Sequence, residues 1–526
     1  MFDRIFRKSR EDSIEKSALI ISLATIIGSI LGILKNTVLA SNFGASRDLD
    51  IYFAAFRVPD FLYSLLVFSS LSGSFMPIFA KAIKNGKNDA WSLVSGIFSV
   101  FSAFFGIFAV LALFFSDDLA MLIAPGFSSM DSEKLSLMLK ILMIQPIFLS
   151  VSNLFSVTLQ GFKKFFVSSL APVFYNFGII VGVLWLSDFW GINGVAWGVV
   201  LGAFLHLLIQ LPGLFSLGFR FRFDKTAFDF LREVGLLMAP RSLTILMNNV
   251  VLFWITSISS LLAAGSLAIF NLADSLQSLP LTIAVMSLVT ASFPFLSQKW
   301  ADFKEDQSPE KKNYFVATFD RVLSEIVLLI VPIAFLLAVF SRETVGILFG
   351  YGNFLVQDQL LTSLTLTVFA VFLPFQALTM FLIRAFFATA NTKDPLLARM
   401  VSALVFQLPL IWFMSQLIGV PGIALGTGLG FVIDSLILFF VFKKRIGISG
   451  LPLSKNGFFT GLRWGNLIAL PVLILNLSDY YFLNLGFLGF LALKIFFLAA
   501  CLGFGIKLKY LKFSDFKTVF HDNESR

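Results

Sequence analysis

The sequence predicts an all-α polytopic membrane protein, with about 14 transmembrane helices in two pseudo-symmetric six-helix lobes plus two C-terminal helices. Three observations predict it. Of 526 residues, 57% are hydrophobic and only 13% charged, and mean hydropathy is +0.88, too little charge for a soluble surface. The apolar residues come in long continuous runs, whereas a membrane β-barrel would alternate them. Cationic residues fall in every second loop, as expected where such loops resist translocation.

The elements follow in order. Residues 1–17 carry mixed charge and read as a cytosolic N-terminal segment, since the next apolar run is long and lacks a small-residue cleavage site. Apolar segments then run near 18–42, 50–80, 91–116, 136–160, 166–188 and 192–216, the N-lobe 18–216. A basic linker, 217–233, separates these from segments near 234–261, 266–298, 318–341, 360–389, 396–417 and 420–442, the C-lobe 234–442. Region 443–506 adds segments near 458–478 and 482–506, and 507–526 is a basic tail read as cytosolic.

Charge tests this count. Lys81, Lys84 and Lys87, then Lys163 and Lys164, Arg220 and Arg222, Lys299 and Lys304, Lys393, and Lys443 and Lys444 all follow even-numbered segments. The other loops hold little beyond Arg47, Lys134 and Arg342. One missed crossing would break the alternation, so both termini are expected in the cytosol. A faint repeat supports the lobes. Gly44-Ala45-Ser46 precedes Pro59 and Ser74-Phe75-Met76-Pro77, as Gly265-Ser266 precedes Pro280 and Ser292-Phe293-Pro294. Segments one and two thus correspond to segments seven and eight, a parallel duplication; chance recurrence of Gly and Pro is the alternative.

Several chemistries are excluded or disfavoured. Cys501 is the lone cysteine, so no disulfide forms within the chain. His206 and His521 are the two histidines, and no set with zinc spacing exists; no metal and no cofactor are expected. Walker loops and GxSxG elbows are absent, which argues against ATP-driven pumping and an esterase-type enzyme. The net charge of +9 is assigned to loops beside a lipid bilayer, and no nucleic-acid partner is expected.

The informative residues are charges inside the segments: Lys35, Asp50, Arg57, Asp60, Arg241, Asp274, Glu325, Arg384 and Asp434. Each costs about 2.5–3.5 kcal/mol on insertion scales, so it faces a cavity or a partner unless it can reach the interface. Singly, each has a plain reading: Asp50 and Asp60 at interfaces, Lys35 and Arg57 snorkelling, Arg384 near a helix end. Their recurrence in segments one, two, eight and ten favours a water-filled cavity. Lys35, midway along the first segment, is expected near Asp50 or Asp274. His206, alone on an apolar segment, reads as a packed residue. Pro59, Pro77, Pro280 and Pro294 should bend the helices that line such a space.

The residues also carry a resemblance. Leu31-Gly32-Ile33-Leu34-Lys35-Asn36, Asn42-Phe43-Gly44-Ala45, and Asp50 through Pro59 resemble the opening of the MurJ/MviN family, the bacterial lipid II flippases of the wider multidrug/oligosaccharidyl-lipid/polysaccharide exporter group. The resemblance continues through Phe75-Met76-Pro77-Ile78, Ala124-Pro125-Gly126-Phe127, Ala171 through Asn176, Ala273-Asp274, Phe293 through Ser297, Arg384 through Ala388 and Asn391 through Pro395, in family order. It implies a flippase, not an enzyme, that moves an undecaprenyl-diphosphate-linked peptidoglycan precursor across the bacterial cytoplasmic membrane by alternating access. The implied partners are a polyprenyl-diphosphate-linked glycan, the bilayer and the cell-wall synthesis machinery. The resemblance carries over Lys35, Asp50 and Asp274, with Arg384 as a fourth match; with Arg57 added from the intramembrane charges, Lys35, Arg57 and Arg384 are the candidate substrate-binding cations, and Asp50 and Asp274 charge partners or gating residues.

The chain also departs from the family. Ser29 and Ser275 stand where arginines are usual, Lys35-Asn36 replaces an Arg-Asp pair, and Tyr63, Ser64 and Phe68 replace charges in the second segment. Sodium-site acids of segments seven and eleven are not found. These departures keep two alternatives open: an exporter of another lipid-linked oligosaccharide or an amphipathic cation, and a non-transporting scaffold.

Overall fold

Wherever the apolar runs fall on described residues, they are helical. The computed structural model describes residues 14–64, 75–222 and 246–447, with side chains from residue 23 onward. Among them all regular structure is helical, and ten helices are long and apolar enough to cross a membrane. The predicted segments at 458–478 and 482–506, Arg241, Cys501 and the basic tail lie outside the described residues.

The helices are α1 (Ile14–Phe43), α2 (Arg47–Ala55), α3 (Arg57–Tyr63), α4 (Met76–Asn85), α5 (Lys87–Ile123), α6 (Ser129–Gly161), α7 (Phe165–Trp190), α8 (Ile192–Ser216) and α9 (Leu246–Ser260). They continue with α10 (Ser266–Asp306), α11 (Pro309–Val339), α12 (Ser341–Phe349), α13 (Val356–Ala388), α14 (Lys393–Ile418) and α15 (Val420–Ile446). The predicted segments near 91–116 and 266–298 lie inside longer helices, α5 and α10. Hydropathy marks only the apolar stretch, whereas hydrogen bonding carries a helix on into water until a cap ends it. Segment two is split at Phe56 into α2 and α3, and α12 was not anticipated.

Local chemistry sets the starts. Ser46, Ser128 and Ser308 accept the backbone N–H groups of Leu49, Asp131 and Lys311, capping α2, α6 and α11. Within α10, Pro280 is followed by a π-turn, Leu281–Val285. A proline lacks the N–H for the ladder and crowds the preceding turn, and the widened turn absorbs that mismatch without ending the helix.

The chain forms two compact units, Met1–Ala268 with Leu348–Leu355, and Ile269–Ile347 with Val356–Arg526. In the first, α7 crosses α8 glycine against glycine. A Cβ on Gly178 would collide with the Gly202 backbone, and one on Gly182 with that of Gly198. Lipid is as apolar as a buried leucine, so close backbone approach and dispersion, more than exclusion of water, hold such helices together. The second unit is centred on Phe319, which stacks on Phe442 at 4.9 Å and lies 5.1 Å from Phe381, with Phe386 edge-on to Phe442 at 5.0 Å.

Candidate functional site in the first unit

Helix α3 carries Arg57, Asp60 and Ser64 at spacings of three and four, which puts all three on one face. That polar face is the signal for the site, and Asp60 is its hub. Asp60 is solvent-accessible, yet Lys35 from α1 and Arg57 both act on its carboxylate electrostatically. Tyr52, Tyr63 and Tyr175 lie within the same electrostatic reach. An accessible carboxylate beside two cations marks a polar recess, with Tyr52, 2% exposed, packed in the core behind it.

The surrounding residues hold these groups in place. Arg57 is 9% exposed, and its Nε donates to Thr256 Oγ1 of α9 at 2.6 Å. Asn153 of α6 donates to the Tyr63 hydroxyl at 2.6 Å, Asn176 of α7 to the Gly28 carbonyl at 3.3 Å, and Asn249 of α9 to Ser64 at 3.0 Å. Three helices, α6, α7 and α9, thus aim polar side chains at α1 and α3. In a membrane such groups are retained because each has a partner.

The sequence expects Lys35 near Asp50 or Asp274; in the structure Asp60 is the acid that acts on it, as it also acts on Arg57. In the sequence Asp60 is one of the intramembrane charges that favour a water-filled cavity, with no role of its own, and Tyr63, Asn153 and Tyr175 are not assigned to the site. Asp50 is elsewhere: fully buried, it accepts from Arg47 at 3.3 Å and from the backbone N–H groups of Gly265 and Ala268 at 2.8 and 2.9 Å. It caps the start of α10. Gly265 holds φ +86°, and a Cβ there would strike the Ala45 carbonyl, so the two glycine turns of the sequence repeat lie against each other.

The remaining candidates belong to the second unit. Asp274 accepts from Gln277 at 2.8 Å, and Arg384 is exposed on α13. Glu325 is half-buried beside Arg321. Asp434 is fully buried and pairs with Arg399 at 3.4 Å, a partner not foreseen in the sequence. His206 is packed: Ser152 Oγ lies 2.6 Å from its Nδ1, and Gln210 joins the same network. Among the described residues no cluster of three or more His, Cys, Asp or Glu could hold a metal ion.

Ser29 and Ser275 donate to the carbonyls of Thr25 and Leu272 in their own helices, at 2.9 and 2.7 Å. They add no charge to either unit. Among the described residues, the cations that act on Asp60 are Arg57 and Lys35.

The chain is 29% identical over 448 residues to the "Probable lipid II flippase MurJ" of Buchnera aphidicola subsp. Schizaphis graminum, covering 82% of this chain and 84% of that protein. It is 27% identical over 441 residues to the "Lipid II flippase MurJ" of Burkholderia cenocepacia, covering 82% and 84%. In fold it resembles the solved structure "Lipid II flippase MurJ, inward closed conformation", with TM-score 0.73, 23% identity and coverage of 93% and 99%. A multidrug resistance MATE family transporter in an inward-facing conformation gives TM-score 0.65 at 16% identity, covering 82% of this chain and 100% of that one. The family model described as "Lipid II flippase MurJ" matches residues 39–497, most of the chain, and the protein belongs to the MurJ family.

Proposed function

We propose that this protein carries lipid II, an undecaprenyl-diphosphate-linked peptidoglycan precursor, from the inner to the outer leaflet of the bacterial cytoplasmic membrane by alternating access. Family membership supports the class of cargo. The observation that carries the reading is the accessible Asp60 carboxylate within electrostatic reach of both Lys35 and Arg57. The cargo is an anionic headgroup on a long apolar tail. The headgroup needs cations that are balanced when the site is empty and released when it fills. A diphosphate entering the recess takes over Lys35 and Arg57, the first as a point charge and the second as a fork of donors, and displaces Asp60 as their counter-charge. Arg384 is the candidate cation of the second unit, and Asp274 its candidate acid. Asp50 serves gating through the start of α10. Both termini face the cytosol, on the strength of the loop charges.

Depleting a bacterium of its own lipid II flippase and supplying this chain tests the reading, with purified lipid II in vesicles as the direct assay. Growth and lipid II translocation, both lost in Lys35→Ala, are expected. Failure of both at normal protein levels would overturn it. The silent Ser29 and Ser275 favour one second reading, a lipid-linked oligosaccharide with a less anionic headgroup. It predicts translocation of that lipid but not of lipid II in the same vesicles.

A further inference from the structure

A second site stands apart from the recess, where α5 ends and α6 begins. A cavity of about 970 Å³ opens there, lined among others by Asp117, Phe127, Met130, Glu133 and Lys140. That volume is within the ~300–1,000 Å³ of small-molecule sites. Among the described residues the side chains of Asp117, Glu133 and Lys140 make no hydrogen bond or ion pair, while the nearby Lys134 is held by Asp48 at 3.0 Å. Three charges of mixed sign thus line one cavity with no partner among the described residues.

Their order in depth is informative. Ser136 donates to Ser116 at 2.9 Å, which sets α5 and α6 at a common level. Asp117 stands at that level, Glu133 about one turn nearer the start of α6, and Lys140 about one turn deeper, a turn being ~5.4 Å. Past Asp117 the outer face of α5 becomes apolar, with Phe114 73%, Val110 54% and Ile107 58% exposed. From water inward the sequence is therefore acid, acid, cation, hydrocarbon. A membrane lipid whose amine lies outside its phosphate, with acyl chains below, presents the complementary order. Lys140, on a flexible stem, can raise its ammonium to the phosphate.

We propose that this cavity holds the headgroup of a zwitterionic aminophospholipid, its phosphate on Lys140, its ammonium on Asp117 and Glu133, and its chains along the exposed face of α5. The site requires only that the helices span a bilayer and is independent of the cargo assigned above. Carboxylates that donate nothing favour a primary ammonium, which offers three N–H groups, over a choline, which offers none.

Native mass spectrometry of the full-length protein in mild detergent, titrated with phosphatidylethanolamine, phosphatidylcholine and phosphatidylglycerol, tests this. Phosphatidylethanolamine should be retained in preference to both others. Lys140→Gln should weaken its retention about tenfold, the loss of one charge-assisted hydrogen bond, while Lys140→Arg keeps it. The double variant Asp117→Asn/Glu133→Gln, confined to exposed side chains, should abolish the preference over phosphatidylglycerol even if Lys140→Gln folds poorly. Equal retention of all three lipids, or retention unchanged in the double variant, would show a groove that takes any acyl chain and would overturn the proposal.

Discussion

The Asp50 carboxylate accepts the backbone N–H of Gly265 at 2.8 Å and, with its other oxygen, that of Ala268 at 2.9 Å. A residue of segment two thereby caps α10, the helix of segment eight. The N–H groups at a helix start carry partial positive charge, so a buried carboxylate is well matched there. Asp50→Ala should destabilise the protein by about 1–2 kcal/mol, the usual worth of a cap, with Asp50→Asn intermediate because one acceptor remains. Thermal unfolding in detergent reads this directly. Equal stability of Asp50→Ala and the parent would deny the cap its role.

The same contact gives a transport test. Gly265 lies against Ala45, so cysteines at Ala45 and Ser266 should crosslink readily. If this end opens during transport, the crosslink should stop translocation and reduction should restore it. Full activity with the crosslink formed would place the moving parts elsewhere.

Topology is testable with single cysteines. Those at Lys84 and Lys304 should resist a membrane-impermeant thiol reagent in intact cells, and one at Ser129 should react. The reverse pattern would invert the orientation read from the loop lysines.

Much of the fold was legible because a bilayer allows few solutions: a continuous apolar run must be a helix, and cationic loops count the crossings. The site was legible in part. Lys35 and Arg57 stand out as charges in apolar runs, and charge alone shows that a partner is needed. Which partner is a matter of packing. Asp50 and Asp60 are ten residues apart and look alike in sequence, yet one caps a helix starting at Ser266 and the other balances two cations. That choice rests on the break at Phe56, where Pro59 cannot donate to the Ala55 carbonyl: the proline signals a bend, but not which partner each acid meets. Nor could hydropathy show that Arg399 would pair with Asp434, 35 residues away on another helix.

That pair is itself a prediction. Arg399 is 5% exposed and Asp434 is fully buried, so removing either partner strands a charge in hydrocarbon. Arg399→Met or Asp434→Leu alone should cost about 3–5 kcal/mol, while the double variant should recover most of it, because an apolar pair carries no desolvation cost. Folded yield and thermal midpoint over the double-mutant cycle measure the coupling. Additive losses would show that the two residues act separately.

Lys35 gives the test closest to transport. Its ammonium and the Arg57 guanidinium share one carboxylate, Asp60, in a recess that solvent reaches. A diphosphate responds to positive charge first and to donor geometry second. Lys35→Ala should therefore weaken translocation strongly, and Lys35→Arg should retain more than Lys35→Gln. Asp60→Asn separates two roles that loss of a cation alone would leave mixed. Without its carboxylate the recess holds two unbalanced cations, so the diphosphate should bind more tightly and leave more slowly. Lower turnover with tighter substrate binding, by about tenfold if one charge-assisted interaction is at stake, is the expected split. The comparison requires matched protein levels, since a changed intramembrane charge also alters insertion. If Lys35→Gln transports as well as the parent, the ammonium serves only to balance Asp60, and the phosphate contact passes to Arg57 and Arg384.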